Sequence, residues 1–376
     1  MNFIKLGPFV KIRTGKLDAN ASISNGQYPF FTCSRSTLRI DTYSYDCECI
    51  LVAGNGDLNV KYYQGKFDAY QRTYIIESMD KNILNTKYLY WIMYKYIEKL
   101  RKLAIGGVIK YIKLNNLTDP VIPLPKMEDQ KRIAKILDQS DTLRQKRKQT
   151  IRLLDEYLKS LFLDMFGEKA IECNNWNKVK FKDISKDGKN SMRTGPFGSD
   201  LLHSEFVDSG VAVIGIDNAV KNKFTWDERR FITIEKYEKL KRYTLYPGDV
   251  IVTIMGTTGK SAVIPDDIPL AINTKHLAAF TLDQERANPV FVSYSIHSDS
   301  RLIEQINKRG RGAIMTGLNL GIIKDLQFKL PPIELQNKFA LMVKDTESLK
   351  EKMLKQSEEL ENLFQSLMQK ASKGEL

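Results

Sequence analysis

Two stretches of the chain carry apolar residues at alternating three- and four-residue spacings, the pattern of a helix that packs along one seam. The later stretch runs from about Glu334 to Ala371 and follows two prolines. Its seam positions are Met342, Thr346, Leu349, Met353, Gln356, Leu360, Leu363 and Leu367. The pattern predicts a long helix that needs a packing partner, because a lone helix this polar is marginal in water.

The earlier stretch runs from about Glu128 to Phe166 and ends at Gly167. Its seam positions stand 206 residues before the later ones and are Ile136, Ser140, Leu143, Arg147, Thr150, Leu154, Tyr157 and Leu161. We expect the two helices to pack on each other as an antiparallel pair; the alternative is that each seam packs on its own globular part or on another chain. We expect Arg147 to pair across the seam or to contact a partner subunit, unless a shifted register leaves it in solvent.

The two helices belong to an internal repeat. The string Leu124-Pro125, with Gln130 after it, recurs as Leu330-Pro331 with Gln336, at the same offset of 206. We expect this offset to continue upstream without a gap, which aligns Asn82 with Asn288. A weaker echo repeats Arg13-Thr14-Gly15 as Arg193-Thr194-Gly195 and the strand-like run 49–53 as 250–254. The chain is therefore two copies of one plan, a globular part followed by a helix.

The plan divides the chain into four segments. We expect a first globular domain at 1–122, a first spacer helix at 123–167, a second globular domain at 168–329 and a second spacer helix at 330–376. The strand and helix candidates of the globular parts are Val211–Gly215, Val250–Ile254, Leu277–Thr281, Thr86–Leu103 and Asn288–Arg309. Strands mostly precede the helix in each half, which indicates α+β domains. An antiparallel helix pair implies a pseudo-twofold axis and a rod of roughly 55 Å between the domains.

Charge adds a class of partner. The 58 Lys and Arg residues outnumber the 45 Asp and Glu residues, for a net charge of +13. Such a surplus favours a polyanionic partner, and nucleic acid is the commonest one; the alternative is a basic but unspecialised protein. No long apolar run follows Lys5, and no stretch of about 18 apolar residues occurs, so we expect neither a secretion signal nor a membrane span. The four cysteines lack CxxC pairs, so we expect a reduced, cytoplasmic protein without a zinc site.

Base contacts are expected in the loops that combine glycine with small polar and basic residues. Arginine pairs with guanine, asparagine with adenine, and lysine with phosphates. The candidates in the first half are Arg13, Thr14, Lys16, Asn55, Asn59, Lys61 and Lys110. Those in the second half are Arg193, Thr194, Ser199, Thr257, Thr258, Lys260, Lys275, Arg309 and Arg311. For each single residue the alternative is an ordinary turn or a solvated side chain.

Catalytic patterns are missing from the sequence. The string from Gly256 to Ser261 ends in Gly-Lys-Ser, but its glycines are too close together for a phosphate-binding loop. The three histidines, His203, His276 and His297, have no metal-ligand spacing. A nucleophile–histidine–acid arrangement therefore has little support.

In its ordered strings the sequence resembles the specificity subunits of type I restriction–modification systems. The strings are Pro123-Leu124-Pro125 with Gln130 and Ile133-Ala134, Leu161-Phe162 through Met165-Phe166-Gly167, Leu330-Pro331-Pro332 with Gln336, the run 193–199, and Tyr246-Pro247-Gly248-Asp249-Val250. The resemblance covers essentially the whole chain. It implies two target-recognition domains that each read one half of a split, asymmetric site in double-stranded DNA.

The resemblance also implies partners. The spacer helices would dock two methyltransferase subunits, and restriction subunits would join through that core. S-adenosylmethionine, ATP and Mg²⁺ would belong to those subunits, so we expect no cofactor and no catalysis in this chain. Two alternatives from other classes remain: a DNA-modifying enzyme with unrecognised motifs, and a coiled-coil protein that binds DNA without sequence preference.

Overall fold

The structure is a computed structural model that describes residues 2–170, 175–310 and 318–376. The chain forms two compact units. Unit 1 comprises Met1–Thr150 and Met353–Leu376, and unit 2 comprises Ile151–Lys352. The prediction that the chain mixes strands and helices is confirmed. None of the described helices combines the length and apolar character needed to cross a membrane.

Among its described residues unit 1 has eight strands, six of which form one sheet. Its strands are β1 (Asn2–Lys5), β2 (Val10–Thr14), β3 (Tyr28–Phe31), β4 (Leu38–Ile40), β5 (Tyr45–Ala53), β6 (Val60–Ala69), β7 (Thr73–Ser78) and β8 (Val121–Leu124). The order is β2-β7-β5-β6-β3-β4, and β1 pairs with β8 in a separate ribbon. The helices are α1 (Thr86–Leu103), α2 (Asn115–Thr118) and the start of α3 (Met127–Phe166). The predicted bounds of α1 are confirmed.

Unit 2 holds two four-stranded sheets. Its strands are β9 (Lys178–Lys180), β10 (Met192–Thr194), β11 (Val211–Ile214), β12 (Phe231–Ile232), β13 (Thr244–Leu245), β14 (Val250–Thr253), β15 (Ser261–Val263), β16 (Ala271–Asn273), β17 (Leu277–Phe280) and β18 (Gln327–Lys329). The sheet orders are β10-β17-β14-β15 and β12-β11-β16-β13, with β9 paired to β18. The helices are α4 (Ile234–Leu240), α5 (Pro289–Ser298), α6 (Ser300–Gly310), α7 (Leu320–Lys324) and α8 (Ile333–Lys373), which ends in unit 1.

The same strand order recurs in the two units. Strands β2-β7-β5-β6 of unit 1 correspond to β10-β17-β14-β15 of unit 2, and every neighbouring pair in both sets is antiparallel. The registers correspond as well, since Thr14 and Val52 both align with Tyr74, while Thr194 and Val252 both align with Ala278. The sequence repeat therefore extends into the sheets.

A buried glutamine explains the repeated Pro-Gln string. Gln130 accepts a 2.8 Å hydrogen bond from the backbone N–H of Asn85, the N-cap of α1, and donates to the carbonyls of Ile83 and Pro125. In unit 2, Gln336 makes the same set of bonds to Asn288, the N-cap of α5, and to the carbonyls of Arg286 and Pro331. Each glutamine thereby fixes a helix start to the strand–helix junction.

These caps correct the upstream alignment. Asn288 corresponds to Asn85, not to Asn82, because both asparagines accept from a backbone N–H of the first helical turn and bond the glutamine that recurs in the two copies. At these two N-caps the offset between the copies is 203, so the expectation that the offset of 206 continues upstream without a gap is wrong. The predicted helix Asn288–Arg309 is also two helices, because α5 ends before Asp299 and α6 begins at Ser300.

The long helices bury one regular series of positions each. On α3 the buried or half-buried series is Gln130, Ile133, Leu137, Ser140, Arg144, Arg147, Ile151, Leu154, Leu158, Leu161 and Met165. On α8 it is Gln336, Phe339, Val343, Thr346, Lys350, Met353, Ser357, Leu360, Phe364, Leu367 and Ala371. The two series have strictly alternating three- and four-residue spacings and differ by 206 at every position.

This series agrees with half of the predicted seam positions. Every second predicted position, such as Leu154 or Met353, belongs to the series, and each of the remaining predicted positions lies one residue before a member of it. Predicted seam residues that are instead exposed are Leu143 (55%), Tyr157 (48%), Leu349 (45%), Leu363 (52%) and Gln356, while Ile136 and Met342 are half-buried beside the series. The sequence misled because Arg144, Lys350 and Ser357 occupy inner positions, where an apolar residue is expected.

Within each unit the two helices run antiparallel. In unit 1, Arg132 lies 3.5 Å from the Leu376 carbonyl, and Arg144 bonds Glu361. In unit 2, Lys350 bonds Asp155, and the rings of Phe162 and Phe339 lie 5.6 Å apart. Aromatic side chains anchor each pair to its domain, since Phe364 meets Trp91 in unit 1 and Phe339 meets Tyr294 in unit 2.

Arg147 is half-buried on α3. Among the described residues no carboxylate lies within ion-pair distance of it, so the predicted pairing across the seam is not seen. Its contact with a partner subunit stays a prediction.

Candidate nucleic-acid interface

Three connections meet at one edge of the large sheet in unit 1. Strand β2 ends at Thr14, β7 begins at Thr73, and the β5–β6 hairpin turns between Ala53 and Val60. Because neighbouring strands are antiparallel and in register, these ends lie side by side. The candidates Thr14, Lys16 and Asn55 therefore lie on one edge, which we call the unit 1 loop edge.

A further hairpin is fastened to this edge. Gly54 donates a 2.8 Å bond to the Arg72 carbonyl and accepts a 2.9 Å bond from Ile112. The Gly56 N–H donates to the Lys110 carbonyl at 2.9 Å. The segment 105–111 thus lies against the β5–β6 turn, and Lys110 joins the other candidates.

Two residues of the unit 1 loop edge are not among the candidates predicted from the sequence. Gln71 and Arg72 are exposed and, with Thr14 and Tyr111, line a groove of about 280 Å³. They occupy the turn before β7, as Lys275 and His276 do before β17. The strand alignment would have revealed them, but the sequence offset is not constant across the repeat and so gave no signal.

The tip of the 105–111 hairpin is apolar. Val108 is fully exposed and Ile109 is largely exposed, directly before Lys110. The turn requires glycine at Gly106, whose φ is +116° and where a Cβ atom would lie 2.7 Å from the Ile109 carbonyl oxygen. This exposed apolar tip beside a lysine is accessible to a partner.

Two unit 1 candidates are occupied within the fold. The Asn59 amide donates to the carbonyls of Cys33 at 2.8 Å and Asp57 at 2.9 Å. The Lys61 ammonium donates to the Ser34 carbonyl, and burial lowers its pKa. Both side chains hold the 33–36 loop against the β5–β6 hairpin, which leaves them little freedom to contact DNA.

The corresponding edge of unit 2 is built in the same way. Strand β10 ends at Thr194, β17 begins at Leu277, and the β14–β15 hairpin turns between Thr253 and Ser261. The backbone bonds match too: Ile254 donates to the His276 carbonyl at 2.9 Å and accepts from Leu318 at 2.9 Å. This unit 2 loop edge brings together the candidates Thr194, Thr257, Thr258 and Lys275.

The Gly-Lys-Ser string is a hairpin turn. Gly259 donates to the Thr253 carbonyl, and the Lys260 N–H donates to the Thr253 hydroxyl at 2.9 Å. Strand β15 follows directly and pairs antiparallel with β14. A phosphate-binding loop opens a helix instead, so this turn has a different architecture. Lys260 itself lines a cavity.

Arg193, which the sequence predicts to contact DNA, is buried and held in an ion pair. It lies inside the domain at 6% exposure, where it pairs with the fully buried Asp249 and donates to the Thr281 hydroxyl at 3.0 Å. A buried guanidinium needs such a carboxylate partner. In unit 1, Arg13 is a strand residue as well, 2.7 Å from Glu77 and stacked on the Tyr45 ring at 4.8 Å. Both arginines stabilise strand ends and do not face the loop edges freely.

The repeated glycine after each arginine is also structural. A Cβ atom at Gly15 would lie 2.1 Å from the Ala69 carbonyl oxygen, and one at Gly195 would lie 2.2 Å from that of Asn273. Only glycine allows this backbone approach. The Arg-Thr-Gly string thus recurs because it closes the same corner of each sheet.

The remaining candidates lie elsewhere or outside the description. Ser199 is exposed in a short 3₁₀ turn after β10. Arg309 lies in α6, and its side chain is outside the described part, as are Arg311 and Cys173.

Positive charge at the two edges comes mainly from lysine and arginine side chains. Burial, together with the charges of Lys275 and Arg230, lowers the pKa of His276, so that its ring is neutral near pH 7. Among residues 2–170, 175–310 and 318–376 no group of three or more His, Cys, Asp and Glu side chains is placed to hold a metal ion. The arrangement suits binding to a polyanion through lysines, amides and loop backbone.

Comparisons with known proteins agree on one family. Residues 1–153 match the family model of the type I restriction modification DNA specificity domain. The chain is 26% identical to the type I restriction enzyme EcoDI specificity subunit of Escherichia coli, over 99% of this chain and 88% of the relative. It is 23% identical to the MjaVIII specificity subunit of Methanocaldococcus jannaschii, over 85% of this chain and 77% of the relative.

Solved structures share the fold. The S subunit of a type I restriction-modification system from M. genitalium superposes with a TM-score of 0.66 at 16% identity, covering 99% of this chain and 96% of that one. A chain from a study of complex assembly and conformational transition of the type I R-M system gives 0.59 at 15% identity, covering 100% and 98%.

Proposed function

We propose that the chain is a specificity subunit of a type I restriction–modification system, and that it selects the DNA sequence on which such a complex acts. Segments 1–122 and 168–329 are then its two target-recognition domains. Each reads one half of a bipartite, asymmetric site in double-stranded DNA. The carrying observation is that both units gather three loops at the same end of the same strand order.

The difference between the edges supports unlike half-sites. Where unit 1 presents Gln71 and Arg72, unit 2 presents Lys275 and His276 at the corresponding turn. Glutamine and arginine are donors suited to base edges, whereas lysine serves phosphates and guanine. Two edges with one architecture and different side chains support a site whose halves differ.

The long helices support a symmetric spacer. We propose that 123–167 and 330–376 form a coiled coil about a pseudo-twofold axis. The support is the identical series of inner positions and an exchanged pair of ion pairs, Arg144 with Glu361 in unit 1 and Lys350 with Asp155 in unit 2. Exchange of roles is the signature of a self-complementary, twofold contact.

Exposed apolar side chains on the two long helices support docking of a partner subunit. Leu143 and Leu349 are exposed and differ by 206, as do Tyr157 and Leu363. Large apolar side chains repeated on the outer helix faces fit a partner subunit that is bound twice. We propose that each set docks one methyltransferase subunit, and that restriction subunits join that core.

Catalysis is assigned to the partners in this proposal. The chain itself is non-catalytic, and S-adenosylmethionine, ATP and Mg²⁺ are handled by the methyltransferase and restriction subunits. The test is an in vitro methylation assay with the purified chain, its methyltransferase, or both. We expect site-specific methylation only with both. Methylation by this chain alone would instead indicate an enzyme, and methylation without sequence preference would indicate a non-specific DNA-binding protein.

A further inference from the structure

Unit 2 contains a cavity of about 640 Å³. Its walls come from five parts of the unit: the unit 2 portion of α3, the unit 2 portion of α8, the 221–225 loop, the end of the β14–β15 turn at Lys260, and α5. A volume of several hundred Å³ is in the range of pockets that take small organic ligands.

The cavity carries excess positive charge. Five lysines and two carboxylates line it. Lys350 pairs with Asp155 and Lys223 pairs with Glu347, which uses both carboxylates. Lys221 pairs with a carboxylate outside the lining, Asp227, at 2.6 Å, and its positive charge is met there.

Two lysines are left over. Lys159 of α3 and Lys260 of the β14–β15 hairpin have no carboxylate within ion-pair distance among the described residues, although both line the cavity. Each is a compact charge on a flexible stem, the kind of group that binds phosphate as a point charge. Two ammonium groups that line one cavity without counter-charges match a ligand with about two negative charges.

The positive charges of Lys159 and Lys260 also act on His297. Its Nδ1 atom lies 2.9 Å from the Ser298 hydroxyl, while its Nε2 atom is buried without a hydrogen-bond partner in the described structure. Burial first, and then the charges of Lys260 and Lys159, lower its pKa to about 4. The ring is therefore neutral near pH 7 and adds no third positive charge to the cavity.

We propose that this cavity binds a phosphate-bearing ligand, with Lys159 and Lys260 as the groups that hold the phosphate. A phosphate dianion matches the two unneutralised ammonium groups, and the Tyr294 ring and Leu158 offer an apolar wall for the rest of the ligand. The phosphate has two sources, a free nucleotide or the DNA backbone. The inference rests on the charges of unit 2 alone and does not depend on the proposed function.

The test titrates the full chain separately with inorganic phosphate, ATP and a DNA duplex, by calorimetry and thermal shift. The variant is Lys159→Gln with Lys260→Gln. The matched control is Lys338→Gln with Lys344→Gln, which removes two exposed charges of α8 outside the cavity.

We expect the cavity variant to lose at least tenfold in affinity for one of these ligands, while the control keeps it. Loss of phosphate or ATP binding with duplex binding unchanged identifies a free phosphate ligand. Loss of duplex affinity, with a salt dependence shallower by about two phosphate contacts, identifies the DNA backbone. Binding of all three ligands equal to the control, or binding of none of them by the wild-type chain, overturns the inference.

Discussion

Arg144 of α3 donates a 2.7 Å hydrogen bond to Glu361 of α8, although its side chain is only 5% exposed. The guanidinium also lies 3.9 Å above the Phe364 ring and 2.9 Å from Asp141. Burial of an arginine is tolerated here because two carboxylates and an aromatic face replace the lost water. Arg144 therefore occupies an inner position that hydrophobic periodicity alone assigns to Leu143.

The first prediction concerns this arginine. Arg144→Ala should lower the free energy of unfolding by about 2 kcal/mol, because packing on Phe364 and two charge-assisted bonds are lost. Arg144→Met should recover part of this loss, since its stem still covers the ring. Urea unfolding measures both. The control, Arg132→Ala, removes an exposed arginine of the same helix and should cost less than about 0.5 kcal/mol; equal losses would contradict the assignment.

The second prediction concerns the buried glutamines. Gln336→Leu should destabilise the chain by about 2 kcal/mol, because it leaves the Asn288 N–H and two carbonyls buried without partners. Gln130→Leu should cost a similar amount through Asn85. Denaturant unfolding is the measurement, with the exposed Gln139→Leu on α3 as the matched control. A neutral Gln336→Leu would show that the string is retained for another reason.

The third prediction is a pH dependence. The pKa of His297 is lowered from 6.5 to about 4, so the unfolded chain binds this proton before the folded chain does. The stabilisation is complete above pH 6.5 and is lost as the pH falls toward 4. Between pH 7.5 and 5 the loss should be about 2 kcal/mol. His297→Gln cannot titrate, so its unfolding free energy should fall less over this interval; parallel pH profiles would refute the assignment.

The fourth prediction tests the outer apolar row and rests on the proposed partners. Leu143→Asp and Leu349→Asp should each weaken binding of the methyltransferase subunit at least tenfold, because a charge enters an apolar contact. Thermal stability should change little, since both side chains are about half exposed. Calorimetric titration of the subunit measures affinity and stoichiometry. Leu360→Asp, in the inner series, should instead destabilise the fold.

The fifth prediction concerns the apolar tip of unit 1. Val108→Asp should weaken DNA binding at least fivefold without changing stability, since Val108 is fully exposed beside Lys110 and a carboxylate repels the phosphates. Fluorescence anisotropy with a duplex measures the affinity. Asp80, exposed elsewhere in unit 1, gives a control through Asp80→Glu, which should bind as the wild type does. Unchanged binding by Val108→Asp would exclude the tip from the interface.

Periodicity and turn residues were sufficient for the long elements. The bounds of α1 and the ends of α3 and α8 followed from prolines, glycines and spacing, because local signals decide where helices start and stop. The seam register did not follow, since Arg144 and Lys350 are buried by ion pairs that join residues far apart in sequence. No local pattern records a partner such as Glu361, which lies 217 residues away.

The loops show the same limit. Their clustering at one edge depends on strand registers, and these align Gln71 and Arg72 with Lys275 and His276 only once the sheets are known. Arg193 resembled a base-contacting residue because its string combines arginine, threonine and glycine. Its partner Asp249 lies 56 residues further along, so only the fold reveals that the string closes a sheet corner.

The central claim, that two units read two different half-sites, is tested most directly by modification-sensitive sequencing of DNA from cells that carry this chain with its methyltransferase. The wild-type chain should yield a bipartite, asymmetric motif. Lys275→Ala in unit 2 should relax one half of that motif, and Arg72→Ala in unit 1 should relax only the other half. A single uninterrupted motif, or the same half altered by both substitutions, would contradict the account.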